Sequence, residues 1–173
     1  MPTPAFAGET HPRRPPYNRR LLDHMDFTIP LRKREATQAQ ALQAKLRLRD
    51  ITLYRCEADG AGPLSEPLEP IRLEAALDSE KLDSGGASGL DFAIRLHVVC
   101  DEPAFNIDVT VLVRYLFAVG AKTATANEIE AFRKSHAVLT VWPYLREFVQ
   151  TLTARMGFPT EPLPLLRLTS PGR

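Results

Sequence analysis

The sequence predicts an α+β domain in which a four-stranded antiparallel sheet is backed by a long, proline-interrupted helix, with a short helix near the N-terminus. Residues 105 to 119 alternate strictly between apolar and other side chains, which is the period of a strand. From Ile129 to Met156 apolar residues recur at three- and four-residue steps, which is the period of a helix. A chain of 173 residues with 44% hydrophobic residues can bury one core.

The N-terminal 35 residues differ in composition from the rest of the chain. They carry seven Arg and Lys against four Asp and Glu, a net charge of +3, so the remainder is at −2 within a total of +1. Five prolines fall within the first 16 residues, and such a segment buries too little apolar surface to offset its ordering entropy. We therefore predict a basic, disordered tail over 1–35 and a folded domain over 36–173.

The elements that open the folded domain are a helix and two strands. Helix-forming residues over 37–48, with Ala39, Leu42 and Leu46 at helical spacing, predict the short helix, and alternation over 49–58 predicts the first strand. Alternation from Ile71 to Ala75 predicts a second strand, which is irregular because prolines precede it. Residues 83–89, rich in Gly and Ser, are a flexible connection.

The third and fourth strands are joined by a tight connection at 101–104. The third runs from Leu90 to Cys100 with apolar side chains on one face, and the fourth covers 105–119. Over its second half the fourth strand is apolar on its other face as well, at Leu112, Leu116 and Ala118. Such a strand needs cover on both faces, which predicts a partner subunit or a client against the sheet.

The main helix has clear start and stop signals. Thr125 and Glu128 form a capping box at its beginning, and Gly157 supplies the left-handed residue that ends it. Pro143 removes a backbone donor, which predicts two helical pieces joined near 136–143. The final TEPLPLLRL stretch, 160–168, is predicted to lie extended along the surface.

No pattern for catalysis or for a cofactor emerges. The sequence has no glycine-rich phosphate loop, no nucleophile elbow and no zinc-protease motif. Cys56 and Cys100 are predicted to be small buried residues, and His136 a packed histidine without further metal ligands nearby. Few cysteines and no apolar run of about 20 residues predict a protein of the cytoplasm that does not insert into membranes. Trp142, Tyr144 and Phe148 fit either core packing or a binding groove.

The segment 142–168, WPYLREFVQTLTARMGFPTEPLPLLRL, resembles the signature of the SecB family of export chaperones. Members carry an aromatic-Pro-Tyr-x-Arg-Glu run, a helix, a Gly-x-Phe-Pro stop and an apolar tail with prolines. The matching residues are Trp142, Pro143, Tyr144, Arg146, Glu147, Gly157, Phe158, Pro159, Leu163, Pro164 and Leu165. A weaker match extends back to residue 45.

The resemblance implies a holdase, a chaperone that keeps unfolded polypeptides soluble without catalysis or cofactor, assembled as a homotetramer from two dimers. Clients of such chaperones lie in apolar grooves between the sheet, the helix connection and the tail. By position, the implied groove residues are Phe132, Val141, Trp142, Tyr144, Leu145, Phe158, Leu163, Leu165 and Leu166.

The resemblance also implies an acidic sheet face that docks the SecA motor, with Asp50 and Asp108 at two of the acidic positions. Arg47, Arg49 and Arg55 lie close by and oppose attraction to a basic motor surface, which argues against SecA as a partner. This departure, with the helix before the first strand, resembles the SecB-like chaperones of toxin–antitoxin systems.

Two classes of client are therefore implied, an antitoxin or precursor proteins for export. The alternative function is a nucleic-acid-binding module that acts through the basic N-terminal arm, although no aromatic residues are interleaved there to support it. A small enzyme is a third and weaker hypothesis, because no nucleophile, base and orienting group come together.

Overall fold

The fold is built on a four-stranded antiparallel sheet. A computed structural model describes residues 27–60, 73–83, 88–100, 105–121, 123–158 and 162–169. The strands are β2 (Leu46–Gly60), β3 (Glu74–Leu82), β4 (Gly89–Cys100) and β5 (Phe105–Phe117), in the spatial order β2-β5-β4-β3. The predicted sheet is therefore confirmed, with the two regular apolar strands at its centre.

One face of the sheet carries the core. Ile107, Val109 and Val113 of β5 are fully buried beside Phe92, Ile94 and Leu96 of β4. The helical layer covers this inner face with α2 (Ala126–Phe132) and α3 (Val138–Arg155). On the outer face Leu112 and Leu116 are only half-buried, so the doubly apolar half of β5 has incomplete cover.

The two helices form one continuous helical stretch through a π-helical segment, Arg133–Ala137. The join predicted near 136–143 is thus a change from α-helical to π-helical period, and it lies earlier in the chain, at Arg133–Ala137. Pro143 lies inside α3 and does not break it. Ser135 Oγ donates to the carbonyl of Ala131 at 2.6 Å, and such back-bonding often bends a helix or disturbs its regular turns. Pro143 is exposed, and it has no N–H to donate within α3.

The predicted caps of this helical layer are confirmed. Thr125 Oγ1 accepts from the backbone N–H of Glu128, and the Glu128 carboxylate accepts from the Thr125 N–H at 2.8 Å. At the other end Gly157 has φ 82°, and Phe158 N donates to the carbonyl of Thr153 at 2.9 Å. This is a Schellman motif, which turns the chain back along α3.

The N-terminal boundaries differ from the prediction. Within the predicted tail, the short strand β1 (Thr28–Pro30) precedes α1 (Lys33–Gln43), so order begins before residue 36. The helix also ends before residue 48, because Leu46 pairs with Phe117 and the chain is already in β2. The nucleic-acid hypothesis depends on residues 13–34, of which 13–26 lie outside the described residues.

The strand β3 also lies later than predicted. It spans Glu74–Leu82 rather than 71–75. Its composition is so polar that the sequence shows no strand-like alternation there. On the inner face Ser79 receives a hydrogen bond from Arg133 Nη1 to its Oγ at 2.8 Å, so a polar contact replaces an apolar one there. The predicted connection at 101–104 and residues 84–87 of the one predicted at 83–89 lie outside the described residues, and β4 already includes Gly89. In the described part of the chain no helix is long and apolar enough to span a membrane.

Candidate functional site

The nine candidate groove residues do not form one surface. Six are buried in the core, and two, Tyr144 and Leu165, are 55% and 61% exposed. Leu166 is partly buried against the core. The six buried residues are Phe132, Val141, Trp142, Leu145, Phe158 and Leu163. Most of the apolar character that the sequence displays in this region is therefore used for packing.

Phe132 belongs to an aromatic cluster on the inner face of the sheet. Its ring centroid lies 5.0 Å from that of Tyr115 in an edge-on arrangement and 5.9 Å from that of Phe92. The His136 ring stacks on it at 5.5 Å, and burial lowers the pKa of that imidazole. The cluster fixes the helical layer on the sheet, and Phe132 contributes stability there.

Phe158 closes another part of the core. Its ring stacks on Phe105 with centroids 4.8 Å apart and planes inclined by 17°. The end of β2 is glycine at this point, because a Cβ on Gly60 would lie 3.0 Å from both Phe158 and Met156. Phe158 thus anchors the end of α3 to the sheet.

The C-terminal tail is held against α3 by two side chains one helical turn apart. Trp142 Nε1 donates to the carbonyl of Pro164 at 3.0 Å, and Arg146 Nε donates to the carbonyl of Leu163. Leu163 is buried, while Leu165 points into solvent. We call the surface formed by these two helix residues with Leu163, Leu165 and Leu166 the tail cleft.

Tyr144 is not part of the tail cleft. It follows Trp142 by two residues, which places it about 200° around the helix. The exposed Tyr144 ring therefore faces away from the tail, and the aromatic run around Pro143 presents its side chains to two different environments.

A segment of the N-terminal 35 residues, which were predicted to be disordered, packs on the tail cleft. The Phe27 ring lies 4.6 Å from that of Trp142, with an angle of 48° between their planes. β1 pairs in parallel with β6 (Arg167–Thr169), which is the end of the tail. The signal that could have identified this segment is the alternation of Phe27, Ile29 and Leu31, between Arg20 and Arg32.

The strand β2 forms an exposed edge of the sheet. It is 15 residues long, and from Thr52 to Gly60 every side chain is exposed. Cys56, predicted to be buried, is exposed on this strand. Leu48, Leu53 and Tyr54 add large apolar side chains to the same strand. A long edge strand with exposed apolar side chains favours pairing with another chain.

The outer face of the sheet holds the two acidic docking candidates in different environments. Asp108 is buried, and Arg95 Nε donates to its Oδ1 at 2.8 Å. Burial alone would raise the pKa of Asp108, but the hydrogen bonds and charge of Arg95 outweigh it and lower that pKa. Asp50 is half-exposed, and its Oδ2 lies 3.5 Å from Arg49 Nε. Both carboxylates are therefore neutralised by neighbouring arginines.

These surfaces present backbone groups and apolar side chains to another chain. Within the described ranges, no group of three or more His, Cys, Asp or Glu side chains is arranged to hold a metal ion. The tail cleft offers an extended backbone, a large indole and leucine side chains, which suit another extended apolar segment.

Comparison with known proteins places this fold. Neither a protein-family model nor a curated protein matches the sequence significantly. Among solved structures, the chain is similar to the Mycobacterium tuberculosis Rv1957 SecB-like chaperone, whose structure is in complex with a ChAD peptide from the Rv1956 HigA1 antitoxin. The TM-score is 0.65 at 20% identity, covering 77% of this chain and 96% of that one. A Streptococcus agalactiae protein of unknown function aligns with a TM-score of 0.36 at 11% identity, over 70% of this chain and 98% of that one. The sheet order, the helical layer and this similarity together establish that the chain has the SecB-like fold.

Proposed function

We propose that the protein is a holdase chaperone that binds extended apolar segments of unfolded or aggregation-prone polypeptides, without catalysis. The observation that carries this proposal is the tail cleft. Trp142 and Arg146 fix the tail backbone on α3, yet Leu165 remains 61% exposed. A rigidly held apolar side chain favours binding because little further entropy is lost when a client covers it.

An antitoxin is the client that we favour over precursor proteins for export. The support is twofold: the similar M. tuberculosis chaperone was solved with an antitoxin peptide, and the outer sheet face here offers little free acidic charge at Asp108 or Asp50. Pull-down of the native protein from its own cells discriminates the two classes. Recovery of precursor proteins with SecA, and of no antitoxin, would contradict the preference.

Suppression of aggregation tests the holding function itself. A chemically unfolded client is diluted into buffer without nucleotide, and its light scattering is followed with and without the protein. Leu165→Asp should reduce the suppression because it places a charge where apolar contact is expected. Val119→Asp is the matched control, since Val119 is fully exposed in the turn after β5 and is not one of the tail-cleft residues. Equal suppression by both variants would show that the tail cleft does not bind clients.

We further propose a cytoplasmic homotetramer assembled as a dimer of dimers. The exposed edge of β2 supports pairing between copies, and the incomplete cover of Leu112 and Leu116 supports a second contact layer. Leu53 is one of the large apolar side chains exposed on β2, so Leu53→Lys replaces apolar contact by a charge and should yield a smaller species by native mass spectrometry. An unchanged mass would place the interface elsewhere.

A further inference from the structure

The segment Phe27–Leu31 lies in the tail cleft in the way that an extended apolar peptide would lie. Its side chains alternate, with Phe27 and Leu31 buried, Ile29 half-buried, and Thr28 and Pro30 exposed. Phe27 contacts the indole of Trp142. Ile29 and Leu166 are both partly buried against the same core. Phe27 therefore contacts the cleft directly, and Ile29 packs on the same side of the segment.

The backbone of this segment is recognised as a strand. Thr28, Ile29 and Pro30 pair in parallel with Arg167, Leu168 and Thr169. Hydrogen bonds of 2.8 Å flank the pairs, from Arg167 N to the carbonyl of Phe27 and from Leu31 N to the carbonyl of Thr169. Because every second residue of a parallel strand bonds to its neighbour, the nitrogen of Pro30 faces away from β6, and its missing N–H costs no bond.

The β pairing that holds the segment is short. The strand is only three residues long, and it lies outside the four-stranded sheet, in a separate pair with β6. The helix α1 begins at Lys33, directly after the segment, so the chain remains tethered beside the cleft if the segment leaves. A tethered ligand of this kind has an effective concentration of about millimolar, which makes it an efficient competitor of clients in trans.

We infer that Phe27–Leu31 is an intramolecular ligand of the tail cleft, and that a client binds by displacing it. The inference rests on the proposed holding function of that cleft. The client segments that replace it share its pattern: an aromatic residue followed by aliphatic residues two and four positions later, paired in parallel with β6. The chaperone then carries its own competitor, which leaves when a client with more contacts arrives.

A reversible lock tests the displacement. Thr28→Cys and Arg167→Cys replace two exposed residues that are directly paired, whose Cα atoms lie about 4.8 Å apart in a sheet, within disulfide range. Cys56→Ser removes the exposed native thiol. The probe is a fluorescein-labelled peptide with the sequence of residues 25–33, MDFTIPLRK, followed by fluorescence anisotropy. Oxidation should weaken its binding by about tenfold or more, and reduction should restore it.

A second variant tests the same inference without a disulfide. Phe27→Ser removes the ring that contacts Trp142 and so weakens the internal competitor. Peptide binding in trans should then be about 5- to 30-fold tighter, the factor that corresponds to 1 to 2 kcal/mol. Thr28→Ser, an exposed change in the same segment, should leave binding unchanged. Equal peptide affinity in the oxidised and reduced forms, or weaker binding by Phe27→Ser, would overturn the inference.

The aggregation assay separates this inference from the proposed function. If the reduced and oxidised forms hold an unfolded client equally well, the cleft binds clients without displacement, and only the inference fails. If the reduced form neither binds the peptide nor suppresses aggregation, the proposed function fails together with it. Suppression that is present in the reduced form and lost on oxidation supports both.

Discussion

The hydrogen bond from Trp142 to the tail gives a prediction whose magnitude follows from the structure. Trp142 is 3% exposed, and its Nε1 donates to the carbonyl of Pro164 at 3.0 Å. The variant Trp142→Phe keeps an aromatic ring against Phe27 but has no hydrogen-bond donor for the carbonyl of Pro164. A hydrogen bond of this type contributes about 1 kcal/mol, which corresponds to about a fivefold change in a local opening equilibrium.

The effect should be local, because Arg146 still holds Leu163 and the core beneath α3 is unchanged. In Trp142→Phe, we expect amide hydrogen exchange measured by NMR to speed up about fivefold at Arg167 and Leu31, whose N–H groups join the tail to the N-terminal segment. Amides in the β4–β5 ladder should exchange at their wild-type rates. The matched control is Tyr144→Phe, which alters an exposed ring on the opposite side of the helix.

Two outcomes would refute the reasoning. Unchanged exchange at Arg167 and Leu31 would mean that the indole N–H does not hold the tail. An equal increase throughout β4 and β5 would mean that Trp142 acts on global stability and that the tail has no opening of its own.

Two further predictions concern stability. Phe132→Ala removes the centre of the aromatic cluster with Phe92, Tyr115 and His136. It should lower the free energy of unfolding in urea by about 3 to 5 kcal/mol. A loss below about 1 kcal/mol would contradict the packing described. The hydrogen bond from Lys45, followed by that from the cap, lowers the pKa of Glu128 from 4.5 to about 2. The contribution of the Glu128 carboxylate to the free energy of unfolding is therefore present above pH 4.5 and lost as the pH falls towards 2. Glu128→Gln should lower that free energy by about 1 kcal/mol at pH 7 and by little at pH 2, measured by urea unfolding at each pH. A pH-independent difference would show that the carboxylate charge is not involved.

The elements that were predicted well are those whose periodicity reflects burial on one side. The strands β4 and β5 and the helical stretch after Thr125 were recognised because a central strand and a covering helix each repeat their apolar residues at a fixed step. The edge strands were placed less well. β3 has Ser79 and Lys81 on its inner face, where Arg133 supplies a polar partner, so its residues show no alternation of polarity.

The candidate site could be predicted only in part, because an apolar residue in a motif serves the core as readily as a groove. The resemblance pointed to Trp142 and Leu165 together, but the first is buried and the second exposed. What decides between these roles is long-range: the tail returns along α3, and Phe27 covers the indole. No local pattern around Trp142 contains that information. A charged substitution at Trp142 would therefore destabilise the fold, and Leu165 is the informative position.

Site-specific photo-cross-linking tests the central claim, that clients bind at the tail cleft, most directly. A benzophenone-bearing residue is placed at position 165 in one variant and at the exposed position 119 in another. Each protein is mixed with an unfolded client, irradiated and digested, and the cross-linked peptides are identified by mass spectrometry. If clients bind at the tail cleft, position 165 should cross-link efficiently to apolar client segments, and position 119 should give no cross-linking above background. Equal yields at both positions, or none at position 165, would contradict it.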